Sequence, residues 1–194
     1  MSDVQTETIV TLAEMRQFLN ITDSADTTMD NAIIGLLDDL CADIADELGL
    51  DQLINKAYTE TYDGDGTKYL FLDHKPIVAV TTLQIDDIDV GTENTDYFVY
   101  LKEGYIELYG DTFEADNKNV DVVYTAGYGA ARANVTRKLK LALKLWVSAI
   151  YKGEVVDYSS RFEEGAYVSQ SGKPIPDNVN RILNRFRKVE FGSV

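Results

Sequence analysis

Cysteine and histidine each occur once in this chain, as Cys41 and His74, and proline occurs three times. A single cysteine excludes an intramolecular disulfide and is compatible with a reducing compartment. One cysteine and one histidine cannot build an ordinary zinc site. Any Ser-His-Asp or Cys-His catalytic system would have to use His74. That residue stands beside Lys75-Pro76 at a strand end, where a solvent-exposed turn histidine is the plain expectation. No run of about eighteen apolar residues exists, so no helical membrane span is predicted. The phosphate-binding pattern GxxxxGK[ST] is missing. The polar, acidic stretch from Met1 to Thr11 lacks the basic-then-apolar layout of a secretory signal.

Basic residues are also scarce over the first two thirds. Residues 1–130 hold 27 acids against 6 bases, whereas residues 131–194 hold 6 acids against 12 bases, and the whole chain carries −15. This is an electrostatic dipole written along the sequence. An acidic surface repels phosphates, which argues against sequence-specific DNA binding. It also keeps a protein soluble. The apolar share, 45% of 194 residues, is that of a globular protein. The length suits one domain plus an extension, or two small domains.

Thr11-Leu12-Ala13-Glu14 reads as a capping box, so a helix is predicted over 11–19. Met29, Ile33, Leu36, Leu37, Leu40 and Ile44 recur at helical spacing and predict a second helix over 28–48, stopped by Gly49. The period then changes. Segments at Tyr58–Tyr62, Tyr69–Leu72, Ile77–Ile85, Tyr97–Leu101, Tyr105–Tyr109 and Val120–Thr125 read as antiparallel strands between 56 and 126. Asp63-Gly64-Asp65-Gly66 looks like a hairpin turn joining the first two. A third helix is predicted over 134–151, capped by Asn134, with Val135, Leu139, Ala142, Leu143, Trp146 and Ile150 on one face. Residues 153–176 show no period, and Asp177 can cap a short final helix. The expected class is α+β. A helix pair and a C-terminal helix form a small bundle, and an antiparallel sheet region is inserted between them. The expected division is a core, 1–152, and an extended arm ending in a short helix, 153–194.

Chemical motifs are weak. Asp63 and Asp65 imitate the start of a calcium loop, but the position eleven residues after Asp63, where a bidentate glutamate belongs, holds His74. Asp86, Asp87 and Asp89 form an acidic turn of the kind that faces water. Gly127-Tyr128-Gly129 lies between a strand and a helix, but Arg132 occupies the third glycine position and no ribose-binding strand follows. Acidic residues are too numerous to single out one catalytic pair. No catalytic residue, metal ligand or cofactor is assigned.

The order of parts carries more information. A capped helix with Val10-Thr11-Leu12-Ala13-Glu14-Met15-Arg16-Gln17-Phe18-Leu19 is followed by a long striped helix. Strands around Gly64-Asp65-Gly66, Lys75-Pro76-Ile77-Val78-Ala79-Val80 and Tyr105-Ile106-Glu107-Leu108 come next. Val120-Asp121-Val122-Val123-Tyr124-Thr125-Ala126-Gly127-Tyr128 then leads into another helix. Over residues 9–152 this resembles the head–tail connector (adaptor) proteins of tailed bacteriophages. Two departures stand out. Ala130-Ala131-Arg132-Ala133 lies where compact members often have proline, and the chain continues through 153–194 where they end.

The resemblance implies a non-catalytic virion neck protein, made in the host cytoplasm. It would form a ring of about twelve copies, dock on a portal protein, and meet a tail or stopper protein while DNA passes without sequence-specific contact. Within that frame, Asp39, Asp43 and Asp46 on the second helix and Arg137, Lys140 and Lys144 on the third are candidate ring-interface stripes. Val179, Arg181, Ile182, Leu183, Arg185, Phe186, Arg187 and Lys188 are the candidate portal-docking element, as a helix laid in a groove. Asp63, Asp65, Asp86, Asp87 and Asp89 are candidates for the channel or the next neck protein. An acidic DNA mimic is the alternative, and a carboxylate-based hydrolase a more distant one.

Overall fold

The computed structural model describes residues 8–22, 27, 29–153 and 174–187. The fold is mixed α+β, and the chain divides into two compact units: residues 1–54 with 129–194, and residues 55–128.

The first unit is helical. Helix α1 spans Leu12–Phe18, α2 spans Asp30–Glu47, α3 spans Arg137–Tyr151 and α4 spans Asp177–Leu183. The predicted capping box starts α1. Thr11 Oγ1 accepts from the Glu14 N–H at 3.1 Å, and Glu14 Oε2 accepts from the Thr11 N–H at 2.9 Å. Two orphan amides of the helix start are satisfied in this way. Helix α2 buries Ile33, Leu37, Leu40 and Ile44, as the spacing predicts, but Met29 stays exposed. Helix α3 begins later than predicted. Asn134 lies in a 3₁₀ turn, Arg132–Asn134, and the residue before the helix is Thr136. Leu139, Ala142, Leu143 and Trp146 fill the core. Helix α2 packs on both α1 and α3, and α4 packs on α3.

The second unit holds two antiparallel sheets. The strands are β1 Lys56–Gly64, β2 Tyr69–Phe71, β3 Ile77–Ile85, β4 Ile88–Asp89, β5 Tyr97–Tyr100, β6 Tyr105–Leu108 and β7 Asp116–Ala126. One sheet runs β1-β7-β3-β4, the other β2-β6-β5. The hairpin expected between β1 and β2 does not form. Strand β1 pairs with β7, Tyr58 opposite Tyr124, while β2 pairs with β6, Leu70 opposite Ile106. A turn signal is local and says nothing about which distant strand offers the longer apolar face. Strand β7, with Val120, Val122, Tyr124 and Ala126 all fully buried, holds the first sheet together from its centre. Leu70, Tyr97, Ile106, Leu108 and Phe113 are buried around the second sheet. Gly64 closes a bulge in β1. A Cβ there would sit 1.9 Å from the Glu114 carbonyl oxygen, so no other residue fits without moving the backbone.

Candidate functional site

The helical unit carries the expected ring and docking residues, and the structure sorts them by exposure. Asp39 and Asp46 face solvent on α2, but Asp43 is buried, only 7% exposed. The three acids therefore do not form one open stripe. Helical phase sets their angular spacing, and the packing of α2 places Asp43, beside Ile44 and Ala45, on the inner side. On α3, Arg137 is exposed while Lys140 and Lys144 are half-buried. Both lysines act on Glu14 within the same unit. The carboxyl of Glu14 is held below its ordinary range, chiefly by the Thr11 backbone N–H, against some burial, with Lys144 and Lys140 adding to the effect.

Helix α4 is folded onto its own unit. Val179 and Leu183 are fully buried, so they are not available to fill a groove in another protein. Ile182 and Phe186 are half-buried. Arg187 donates to Glu47 Oε2 at 2.8 Å, and to Asn180 Oδ1 at 2.5 Å and Asn184 Oδ1 at 2.6 Å, which ties the turn after α4 to the end of α2. Trp146 Nε1 donates to the Pro174 carbonyl at 3.1 Å. Arg181 and Arg185 remain exposed. Lys188 lies outside the described residues, as does most of the expected arm.

In the sheet unit the five acidic candidates are all exposed. Asp63 accepts from the Lys118 N–H at 2.7 Å, and Asp65 holds the Thr67 amide and hydroxyl. These bonds shape turns. Asp86 and Asp87 take φ values of 52° and 64° in the tight β3–β4 turn, and Asp89 accepts from Gln84 Nε2. Among the described residues no cluster of three or more His, Cys, Asp or Glu side chains is placed to hold a metal ion.

His74 is not the free turn residue expected. Its ring stacks on Tyr58 at 3.9 Å, and Nδ1 lies 2.9 Å from Glu60 Oε1 and 3.2 Å from the Tyr124 hydroxyl. Glu60 also accepts from the hydroxyls of Tyr62 and Tyr124. Burial, then the Glu60 carboxylate, pushes both phenols well above their usual ionisation range. The Glu60 carboxylate, the Tyr62 and Tyr124 hydroxyls and His74 Nδ1 are committed to one another, within one strand pair and the turn beside it. The cluster therefore reads as a structural brace. In sequence it was visible only as alternate Tyr58, Glu60 and Tyr62, since its other half comes from β7.

Sequence reasoning also missed the outer face of the β2-β6-β5 sheet. Tyr69, Phe71, Tyr100 and Tyr105 lie together on it. The Tyr100 and Tyr105 rings stack at 4.3 Å, Phe71 lies 5.4 Å from Tyr105, and Tyr69 meets Tyr105 edge-on at 5.8 Å. Phe71 is 65% exposed. The period-two alternation of three short strands was the available signal.

The described surface thus offers a charged helical face, acidic turns and an aromatic sheet face. A scan of family models matches residues 8–189 to the head completion protein family. The chain belongs to that family. A search of curated proteins finds no match. Solved structures give full-length likenesses. A chain in "Neck of empty GTA particle computed with C6 symmetry" shares 20% identity with a TM-score of 0.64, covering 95% of this head completion family member and 93% of that chain. A chain in "Virion of native gene transfer agent (GTA) particle" gives 19% identity, the same TM-score and the same coverage. A third, in "Neck of native GTA particle computed with C12 symmetry", gives 17% identity and a TM-score of 0.59, covering 98% and 99%. At these identities the likeness establishes the fold.

Proposed function

We propose that this head completion family member is a structural adaptor of the virion neck, not an enzyme. Copies assemble into a closed ring of about twelve, dock on the portal and join it to the tail, while DNA passes through without sequence-specific contact. The family match over residues 8–189 carries this reading. Likeness to chains in particle necks computed with C6 and C12 symmetry supports it.

The surfaces suit such a role. A ring larger than a dimer needs two different faces on each copy that fit one another. Asp39 and Asp46 on α2 and Arg137 on α3 stay outside the core, so each lies on a surface that a neighbouring copy can reach. The exposed Arg181 on α4 and Arg185 in the turn after it form the portal-facing pair, with Val179 and Leu183 anchoring the helix beneath them. The exposed acids at Asp63, Asp65, Asp86, Asp87 and Asp89 would repel phosphates wherever they line a channel. Electron microscopy of the purified full chain mixed with its portal tests the reading. Rings stacked coaxially on the portal are expected, and a portal population with nothing added would refute docking.

A further inference from the structure

An exposed, contiguous aromatic cluster is uncommon on a surface that meets only water, whereas tyrosine, phenylalanine and arginine are what protein interfaces bury. The outer face of the β2-β6-β5 sheet is such a cluster, and cross-strand register builds it. Phe71 stands opposite Tyr105, and Tyr105 opposite Tyr100, so three rings line up across three strands. Glu107 lies in the same face, opposite Tyr69 and Phe98, and accepts from the Tyr100 hydroxyl at 2.9 Å and from Lys68 at 2.5 Å. The sheet unit, residues 55–128, holds 15 acids against 5 bases. On the face itself Glu107 is paired with Lys68, whose ammonium also lies 4.8 Å from the centre of the Tyr69 ring, so the face already receives a cation at one end. The acidic excess of the surrounding unit favours an occupant that brings positive charge together with an apolar group.

We propose that this face receives a second copy of the same chain through the start of that copy's α3, at Arg137, Lys138 and Leu141. This rests on the ring reading and names its contact. Charge complementarity selects the segment. Helix α3 carries four bases and no acid. Lys140 and Lys144 act on Glu14 in their own unit, whereas Arg137 and Lys138 are exposed, and Leu141, one turn on, is 43% exposed. Residues three and four apart share one helix side, so the three present a single cationic and apolar patch. Guanidinium and ammonium groups are attracted to tyrosine faces, and the nearby carboxylate adds to that attraction. The exposed Arg181 of α4 and Arg185 just after it fit less well, since the apolar residues beside them, Ile182 and Phe186, are half-buried. An acidic aromatic face meeting a cationic helix face is also the head-to-tail relation that a cyclic assembly requires.

The test is photo-crosslinking in the assembled full chain. Phe71→p-benzoylphenylalanine places a reactive group on the face, and mixing isotope-labelled with unlabelled chains separates adducts between copies from those within one. Adducts between copies on residues 137–145 are expected. R137E/K138E should lower the assembled fraction at least tenfold with unchanged monomer melting. Rings whose adducts fall elsewhere, on the portal alone, or within one chain would overturn this contact and leave the ring reading standing. A chain that stays single with and without portal would overturn both.

Discussion

At the scale of the residue, one carboxylate does more than its sequence context suggests. Glu60 accepts from two phenols and faces the His74 ring, and Tyr124 beneath it is fully buried. Glu60→Ala leaves those donors without their acceptor, a loss of about 1–3 kcal/mol. Urea unfolding of the full chain should show it as a lower midpoint with unchanged slope. The phenols set the pH dependence. Tyr62 and Tyr124 keep their protons in the folded chain beyond about pH 10, where an unfolded tyrosine ionises. Tyr128, pushed up to about 12 by burial, behaves alike. A folded value above the unfolded one contributes stability that is complete below about pH 10 and lost as pH rises toward the folded values. Midpoints should therefore hold steady from about pH 8 to 9.5 and fall above 10, and the fall should be shallower in Y62F/Y124F. Little of this was legible beforehand. The single histidine and its neighbouring proline suggested an exposed turn, because the tyrosine that receives it lies on β7, fifty residues away. Asp43 misled in a similar way. Spacing gave its angle around α2 correctly, but burial depends on what packs against that angle.

At the scale of the element, helix boundaries and apolar faces followed from the sequence wherever the determinants were local. Thr11 and Glu14 meet within one turn, so the cap of α1 could be read directly, and Thr11→Ala should cost about 1 kcal/mol. Leu139, Leu143 and Trp146 repeat at helical spacing and are buried together. Strand partners were not readable in this way. The Asp63–Gly66 segment ends β1 and leads toward β2 but does not pair them, since β7 offers β1 a ladder of eight paired residues and β2 is only three residues long. The placement of α4 was likewise undecided between an outward arm and a folded-back helix. Ile175, Val179 and Leu183 settle it by being buried against their own unit. Deleting residues 174–194 should therefore destabilise the chain by several kcal/mol, at about 1.5–3 kcal/mol per lost apolar side chain. Differential scanning calorimetry would register this as a lowered Tm. Such a truncation cannot isolate a docking function.

At the scale of the whole molecule, function lies in how exposed groups are distributed, and point changes on exposed residues are the clean probes. R181E/R185E should leave the fold and the ring mass unchanged while weakening portal attachment at least tenfold, as read by co-sedimentation with portal. Attachment at wild-type level would remove those two arginines from the docking surface. Self-association between an acidic face and a cationic one should also weaken as salt is raised, because exposed charges are screened beyond about 8–10 Å at 0.1–0.15 M. These expectations share one premise, that the chain works by being surrounded by copies of itself. Native mass spectrometry of the full-length protein, alone and with portal at low ionic strength, tests it most directly. The account predicts a closed oligomer of about twelve 21.7 kDa subunits in at least one of the two samples. A single 21.7 kDa species in both would contradict it.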